Sequence, residues 1–473
     1  MNKSLQLITV SLIAFFFIGT GSKAYGAAVK MKSPVSPAAV TIEEAVAIAL
    51  KNNQEYRIVL KKTKQAREKV NQVWGQLLPV LESEASMVRQ GAGNGFISLS
   101  DGQYDLKLLQ VRFGINPGVF YHSLQASHRA HSIAKEELRR VKNKVSYNVI
   151  KGYFDVILAH EMVRLNEYSL QVLKENLKDV RRLHQTGSVP KFELLQAQVQ
   201  LKNREPEYLK AKNDYQTALD MFNFHEGSDT IQYTVKETDL LFNGVKTPRG
   251  KNIIPQLVNL AMKHRPEVLQ LTLNKEGAAH MKKIHQASYL WPTFSVEGSY
   301  GFTYLLPNSI DTGGAPFDLS QVTGTRQWQD TWQVRVAATY RWGDFLPVST
   351  SRAREREEKA KLKEAELGLV QLKRMTAIAI RIHFGRLKTA YETILSSKQN
   401  IETAREGLRI ARESYRAGVV KNADLLNAEL SLTRARTGYI SAVYSYYVSK
   451  AELEKEMGIE KNALVFMEDT NEK

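Results

Sequence analysis

Two stretches of this chain, residues 120–183 and 351–415, contain no proline and only four glycines between them, Gly152, Gly368, Gly385 and Gly407. Little other than helix suits such a stretch. At 1.5 Å per residue, about 65 residues make a rod of about 98 Å. A rod of that length is too long to lie inside an ordinary compact domain, so it must pack sideways along its length. Apolar residues recur at seven-residue intervals: Val156, Val163, Leu170 and Leu177 in the first stretch, Leu387, Ile394, Ile401, Leu408 and then Tyr415 in the second. A sustained seven-residue repeat winds a helix into a left-handed seam with a neighbour. A second stripe runs beside it, Ala159, Asn166, Leu173 and Val180, then Ala390, Ser397, Ala404 and Ala411. It is small throughout in the second stretch, which suits close side-by-side packing in a curved wall of helices.

The two stretches are copies. Residues 42–76 match 254–288 at a shift of 212, with Ala49 on Ala261 and Glu55 on Glu267; Pro79 and Glu84 match Pro292 and Glu297 at 213. Farther on the shift is 231, placing Tyr153 on Phe384, Glu161 on Glu392, Gly187 on Gly418 and Leu194-Leu195 on Leu425-Leu426. Several blocks matching in the same order establish an internal duplication. Each long helix ends at a matched turn, HQTGSVPKFELL and YRAGVVKNADLL, whose Gly187 and Gly418 suit the left-handed cap position. A shorter helix returns from each turn. Together with the opening helix of its copy it equals the long helix in length, giving a hairpin whose second arm has two pieces. Pro206 and Pro266 lie within these arms, where proline kinks or breaks a helix.

Between the opening and long helices the period changes from seven to two. Phe294, Val296, Gly298, Tyr300, Phe302 and Tyr304 alternate with polar or small residues, as do Trp332, Val334, Val336, Ala338, Tyr340 and Trp342. This is strand patterning at the length that crosses a bilayer when tilted by about 45°. In the first copy Leu81, Ala85 and Met87 alternate with Glu82 and Glu84, while Tyr104, Leu106 and Leu108 change parity to Leu109, Val111 and Phe113, the mark of a bulge. Four strands do not close a barrel, for which about eight are needed. Three chains with 12 strands are the economical solution.

Composition narrows the compartment and the chemistry. Lys3, the run Leu5 to Gly21 and the small residues Ser22/Ala24 or Gly26/Ala28 form a secretory leader over residues 1–28. No later run approaches a helical membrane span, so a membrane-embedded chain must cross as strands. There is no cysteine, which excludes disulfides, thiolate catalysis and a lipidated N-terminal cysteine. The balance of 66 Lys and Arg against 49 Asp and Glu gives +17, yet the basic run 352–363 contains three carboxylates and reads as a solvated helix face. Nucleic-acid binding is not expected. His122, His128 and His131 on the first long helix, and the Glu276/His280 pair, lack a complete ligand set, so no metal or other cofactor is expected. No catalytic motif is present, and the chain is read as a non-enzyme.

These residues resemble the outer-membrane efflux protein family, the TolC-like channels. The landmarks are TIEEAVAIALKNNQE, QLLP before the first strand, WGDF after the last, and the tip segments KFELLQAQVQL and NADLLNAELSL, across residues 41–458. The resemblance implies a mainly α fold with a transmembrane β portion: duplicated coiled-coil hairpins forming an α-barrel, and four strands per chain in a 12-stranded trimeric β-barrel. It implies a homotrimer in the outer membrane of a Gram-negative bacterium, contacting lipid and reaching into the periplasm. Such a duct would pass drugs, metals, other small molecules or polypeptides from a periplasmic adaptor and an inner-membrane transporter, in efflux or type I secretion. In the family, acidic residues ring the periplasmic entrance. Carried over, these positions are Asp424, with Asn427 where a second carboxylate would stand, and Glu193 with Gln196 behind it. Tyr415 is the tip tyrosine, and Val420 occupies the position of the family's basic gate residue.

The expected organisation is a leader (1–28), an extension (29–40), a first repeat (41–226), a linker (227–251), a second repeat (252–458) and a tail (459–473). Within the repeats, helices are expected at 41–76, 119–184, 191–225, 252–288, 350–416 and 422–458, and strands at 81–90, 103–113, 293–305 and 330–342. The competing reading is a periplasmic coiled-coil adaptor or structural envelope protein without a pore. It accounts for the helices but not for four alternating segments at one end of both hairpins.

Overall fold

A computed structural model describes residues 38–89, 100–227, 232–236, 253–307, 309–310, 317–318 and 328–459. The expected leader and most of the extension, linker and tail lie outside the described residues. The first half runs β1 (Ala38–Val40), α1 (Ile42–Asn52), α2 (Gln54–Gly75), β2 (Val80–Arg89), β3 (Ser100–Ile115), α3 (Pro117–Gln185), α4 (Lys191–Glu226) and β4 (Tyr233–Val235). The second runs α5 (Ile253–His264), α6 (Pro266–Leu290), β5 (Thr293–Pro307), β6 (Ser309–Ile310), β7 (Phe317–Asp318), β8 (Gln329–Thr339), a 3₁₀ turn (Trp342–Phe345), α7 (Thr350–Arg416) and α8 (Asn422–Met457).

The long helices α3 and α7 have 69 and 67 residues, about 100 Å each. Each starts at a defined cap. Asn116 Oδ1 accepts the Val119 N–H at 3.0 Å with Pro117 opening the helix, and Ser349 Oγ accepts the Arg352 N–H at 3.3 Å. Along α3 pack α4 from one end and α1 and α2 from the other; α8, α5 and α6 flank α7 in the same way. The heptad stripe is buried, as are Leu173, Val180 and Ala390 of the stripe beside it. Val156 and Ile394 are fully buried, Leu387, Leu170 and Leu408 nearly so, and Val163, Leu177, Ile401 and Tyr415 half-buried.

The opening arms differ from the sequence reading. Residues 41–76 and 252–288 are expected to be single helices, but the first breaks at Asn53 and the second at Arg265, equivalent positions in the duplication. Asn53 Oδ1 caps α2 through the Tyr56 N–H at 3.2 Å. Pro266 has no N–H to continue α5 and holds Arg265 extended, at φ −65° and ψ 120°. Pro206, by contrast, sits within α4 without ending it. At the same level β1 pairs in parallel with β4, and Tyr153 Oη donates to the Lys236 carbonyl at 3.0 Å, so a belt of short elements grips α3 near its midpoint.

The four longer strands form one antiparallel sheet in the order β2-β3-β5-β8, joining both halves. Its register sorts the two faces. Leu81, Val111, Gly298 and Val334 lie in one row, and Leu109, Tyr300 and Trp332 in the next. On the other face Arg112, Glu297 and Arg335 align, as do Glu84, Lys107 and Gly301. The parity change in β3 is a single bulge at Leu108, an extra residue against both neighbours: Glu82 and Glu84 of β2 pair with Gln110 and Lys107, and Tyr300 and Gly301 of β5 pair with Leu109 and Lys107. Ser83 Oγ of β2 donates to the Leu108 carbonyl at 2.7 Å across the bulge. Without that bulge, one end of β3 would present apolar residues to the polar face. β8 stops at Thr339, short of the expected 342; Tyr340 leaves the sheet and packs its ring on Trp342 and Phe345 at centroid distances of 4.8 and 5.9 Å.

Candidate functional site: the paired helix tips

Both hairpins turn on a glycine in the left-handed region, Gly187 at φ 75° and Gly418 at φ 74°. The Ser188 N–H reaches the Leu183 carbonyl at 2.8 Å and the Val419 N–H reaches that of Ser414 at 2.9 Å, closing each turn with the same six-residue bond. Any side chain at either glycine would be strained by the backbone alone.

Asp424 is exposed in the first turn of α8, where its Oδ2 accepts the Lys421 backbone N–H at 3.2 Å. A carboxylate there also meets the positive end of the helix dipole, worth about 0.3–1 kcal/mol. Asn427 is exposed one turn on, and Glu193 and Gln196 are half-buried in the first turns of α4. The Tyr415 hydroxyl is buried with no hydrogen-bond partner among the described residues. Burial, then the nearby carboxylates of Glu193 and Asp179, push its phenol above the ordinary range. The structure therefore brings Tyr415, Glu193 and Asp179 into one electrostatic group, across α7, α4 and α3. No hydrogen bond joins the side chains of Asp424, Asn427 or Gln196 to that group among the described residues.

One contact has no counterpart in the sequence reading. Asn422, fully buried at the start of α8, exchanges amide hydrogen bonds with Asn176 of α3, at 2.7 and 3.3 Å. It ties the second hairpin to the first close to the tips. The available signal was Asn176 itself, a polar residue set between Leu173 and Val180 beside Leu177. A buried amide in such a stripe fixes the register of a coiled coil. Arg412 and Glu429, 2.9 Å apart, join α7 to α8 in the same region.

The histidines sort differently from their sequence spacing. His122 faces His280 of α6, Nδ1 to Nδ1 at 3.4 Å, and burial lowers both below the usual imidazole range. Glu276 pairs with Arg129 at 2.9 Å instead. Among the described residues no group of three or more His, Cys, Asp or Glu could hold a metal ion, and no helix is long and apolar enough to cross a membrane.

Tandem hairpins with matched tips, crowned by one sheet built from both halves, are also what known proteins share with this chain. The family model for outer membrane efflux proteins matches residues 45–221 and 257–458, one block in each half. The chain belongs to the outer membrane efflux protein family. TolC of Escherichia coli K12 is 21% identical over 402 residues, covering 83% of this efflux protein and 77% of TolC. The alkaline protease secretion protein AprF of Pseudomonas aeruginosa is 20% identical over 330 residues, 69% of this chain and 64% of AprF, so the match spans somewhat under two thirds of that relative. Among solved structures, the Campylobacter jejuni CmeC outer membrane channel superposes with a TM-score of 0.71 at 18% identity, covering 94% of each chain. The open-state MtrE channel of Neisseria gonorrhoeae gives 0.71 at 18% identity, covering 90% of this chain and 94% of MtrE. This efflux protein is thus an outer-membrane channel of the efflux type, with a large helical periplasmic portion.

Proposed function

We propose that three copies of this efflux protein close their sheets edge to edge into a 12-stranded barrel in the outer membrane. Their hairpins continue it as a periplasmic tunnel that receives cargo from an adaptor and an inner-membrane transporter. The observation that carries this reading is the sheet. On its apolar face Trp332, Val334 and Val336 are 75%, 76% or, for Val334, 66% exposed, and among the described residues β2 and β8 each have one unpaired edge. Exposed apolar strands with free edges are stable in lipid only when a barrel closes them. A pore-less adaptor would have no use for such a sheet. Because the native chain lacks cysteine, cysteines placed along β2 (81–87) and β8 (332–338) test closure cleanly. Oxidation should link different chains up to trimers and no further; absence of β2–β8 links, or a ladder past three, would exclude it.

The apolar rows of the register support one assignment of the lipid face. Trp332, Val334 and Val336 point outward, and Gln333, Arg335 and Thr339 line the lumen. Val336→Arg should therefore cost about 2–4 kcal/mol near mid-membrane, and Ala337→Arg much less. Folding equilibria in lipid vesicles measure the difference, and equal penalties would mean the faces are exchanged.

At the other end, Asp424 from three chains forms a ring at the tunnel entrance, with Glu193 beside it. Like charges close together deepen the local potential for cations by a few kcal/mol at contact when the effective dielectric is about 20. The resting pore is expected to be narrow, cation-selective and blocked by trivalent cations added from the periplasmic side. Asn427 in place of a second carboxylate makes that block shallower than a double ring would give. Asp424→Ala should relieve the block without loosening the trimer. Block unchanged in Asp424→Ala, and again with Glu193→Gln added, would remove the ring and leave Asp424 as a helix cap alone.

A further inference from the structure

Glu226 is the last residue of α4, and its side chain is fully buried with neither carboxyl oxygen hydrogen-bonded among the described residues. It lies in the belt around the middle of α3. Gly227, at φ 68°, follows it so close to the α1–α2 elbow that a Cβ there would stand 2.9 Å from Asn53 Cα and 3.0 Å from the Asn52 carbonyl oxygen. Asn53 Nδ2 donates to the His225 carbonyl at 3.1 Å, tying the elbow to the end of α4. The C-termini of α1 and α4 therefore meet at the residues on either side of Glu226. Their partial negative charge disfavours a carboxylate there.

The duplication supplies an internal control. The 231-residue shift that aligns the tips places Gly227 on Gly458 and Glu226 on Met457. Gly458 is pressed against the α5–α6 elbow in the same manner, a Cβ standing 2.7 Å from Arg265 Cα, and Met457 is likewise fully buried. The same niche is thus filled by a thioether in one repeat and a carboxyl in the other, and only the second can change charge. The charged and titratable groups on the surrounding elements include Glu43, Glu44 and Lys51 on α1, Glu55, Tyr56 and Arg57 on α2, Lys144, Lys151, Tyr153 and Asp155 on α3, His225 on α4 and Lys236 after β4. Lys144 is engaged with Glu55 at 2.8 Å and Lys151 with Asp155 at 2.9 Å. Burial lowers the His225 imidazole, so it offers no fixed positive charge.

We propose that Glu226 is a proton-dependent lock on the waist of the tunnel: a neutral carboxylic acid that seals α4 onto the α1–α2 elbow, and whose ionisation loosens that junction in the first repeat only. Burial alone pushes its pKa up to about 8. An acid with a folded-state value above its ordinary 4.5 binds its proton more tightly when folded. Its contribution is therefore fully present below 4.5, declines as pH rises and is lost once pH passes about 8.

The test uses the full-length protein in detergent. The infrared carbonyl band of a protonated carboxylic acid should be present at neutral pH, titrate near 8, and vanish in Glu226→Gln. In parallel, the Tm of the parent should fall relative to Glu226→Gln and Glu226→Met between pH 5 and 8. Amide exchange, corrected for its intrinsic pH dependence, should quicken at Glu55 and Tyr56 over that interval in the parent but not at the equivalent Glu267 and Val268. A parent without the acid band at neutral pH, or with Tm and exchange profiles parallel to those of Glu226→Gln, would overturn the proposal even if a variant folds poorly, because the infrared titration needs only the parent.

Discussion

Valine at Gly301 should prevent β3 and β5 from pairing around the bulge. Even a lone Cβ there would overlap the Leu106 carbonyl oxygen and stand 2.8 Å from Lys107 Cα, both backbone atoms that no side-chain rotation can clear. Either the bulge that keeps the two faces in phase is undone or the strands separate. The expected penalty is about 3 kcal/mol or more, at or beyond the upper end of ordinary overpacking. Gly298→Ala is the control, since its nearest neighbour would be the Gln333 carbonyl at 3.9 Å and the strand has room. Folded yield and the resistance of the assembled protein to heat in detergent should collapse for Gly301→Val and stay near parental for Gly298→Ala. Similar behaviour of the two would mean that the bulge does not organise the sheet.

Ile394→Ala should be the most damaging truncation on the long-helix seam. Ile394 is fully buried in the cluster that holds α5, α7 and α8 together, with Leu387 one heptad before it. Removing the side chain leaves a cavity in a site pinned by three helices, at a cost of about 4 kcal/mol. Arg405 and Arg409, on the same helix, pair with Glu402, Glu406 and Glu413 while remaining more than half exposed. Their alanine variants should stay within about 0.5 kcal/mol of the parent, because exposed ion pairs contribute little. Thermal unfolding of the three variants at one protein concentration decides the matter; equal tolerance would show that the heptad stripe is not the buried face.

Much of this architecture was legible because it is periodic. Seven-residue spacing gave the seam from Val156 to Leu177 and from Leu387 to Leu408, and two-residue spacing gave the strands. Even the bulge left a visible parity change between Leu106 and Leu109. The elbows at Asn53 and Arg265 were less legible. Apolar periodicity continues across both, and the break depends on a side-chain cap in one case and a proline at the first helical position in the other. Tyr340 continues the alternation of β8 in sequence, but its ring finds Trp342 and Phe345 at the junction and leaves the strand.

The tips divide in the same way. Glu193, Asp424 and Tyr415 were named by the family resemblance, carried over by position from the tip glycines Gly187 and Gly418. Which of them meet is a matter of packing between hairpins more than two hundred residues apart. The Asn176–Asn422 pair and the grouping of Tyr415 with Glu193 and Asp179 arise only when α3, α4, α7 and α8 come together. Glu226 belongs to the same class: its sequence shows an ordinary glutamate near a helix end, and only the folded belt around it removes water.

Single-channel recording of the purified protein in a planar lipid bilayer tests the central claim, that this chain builds a through-going pore. Discrete steps of one size with a preference for cations, reduced by trivalent cations from the periplasmic side, are the expected result. Folded, membrane-inserted protein that gives no steps, or a protein that remains a water-soluble monomer, would contradict it.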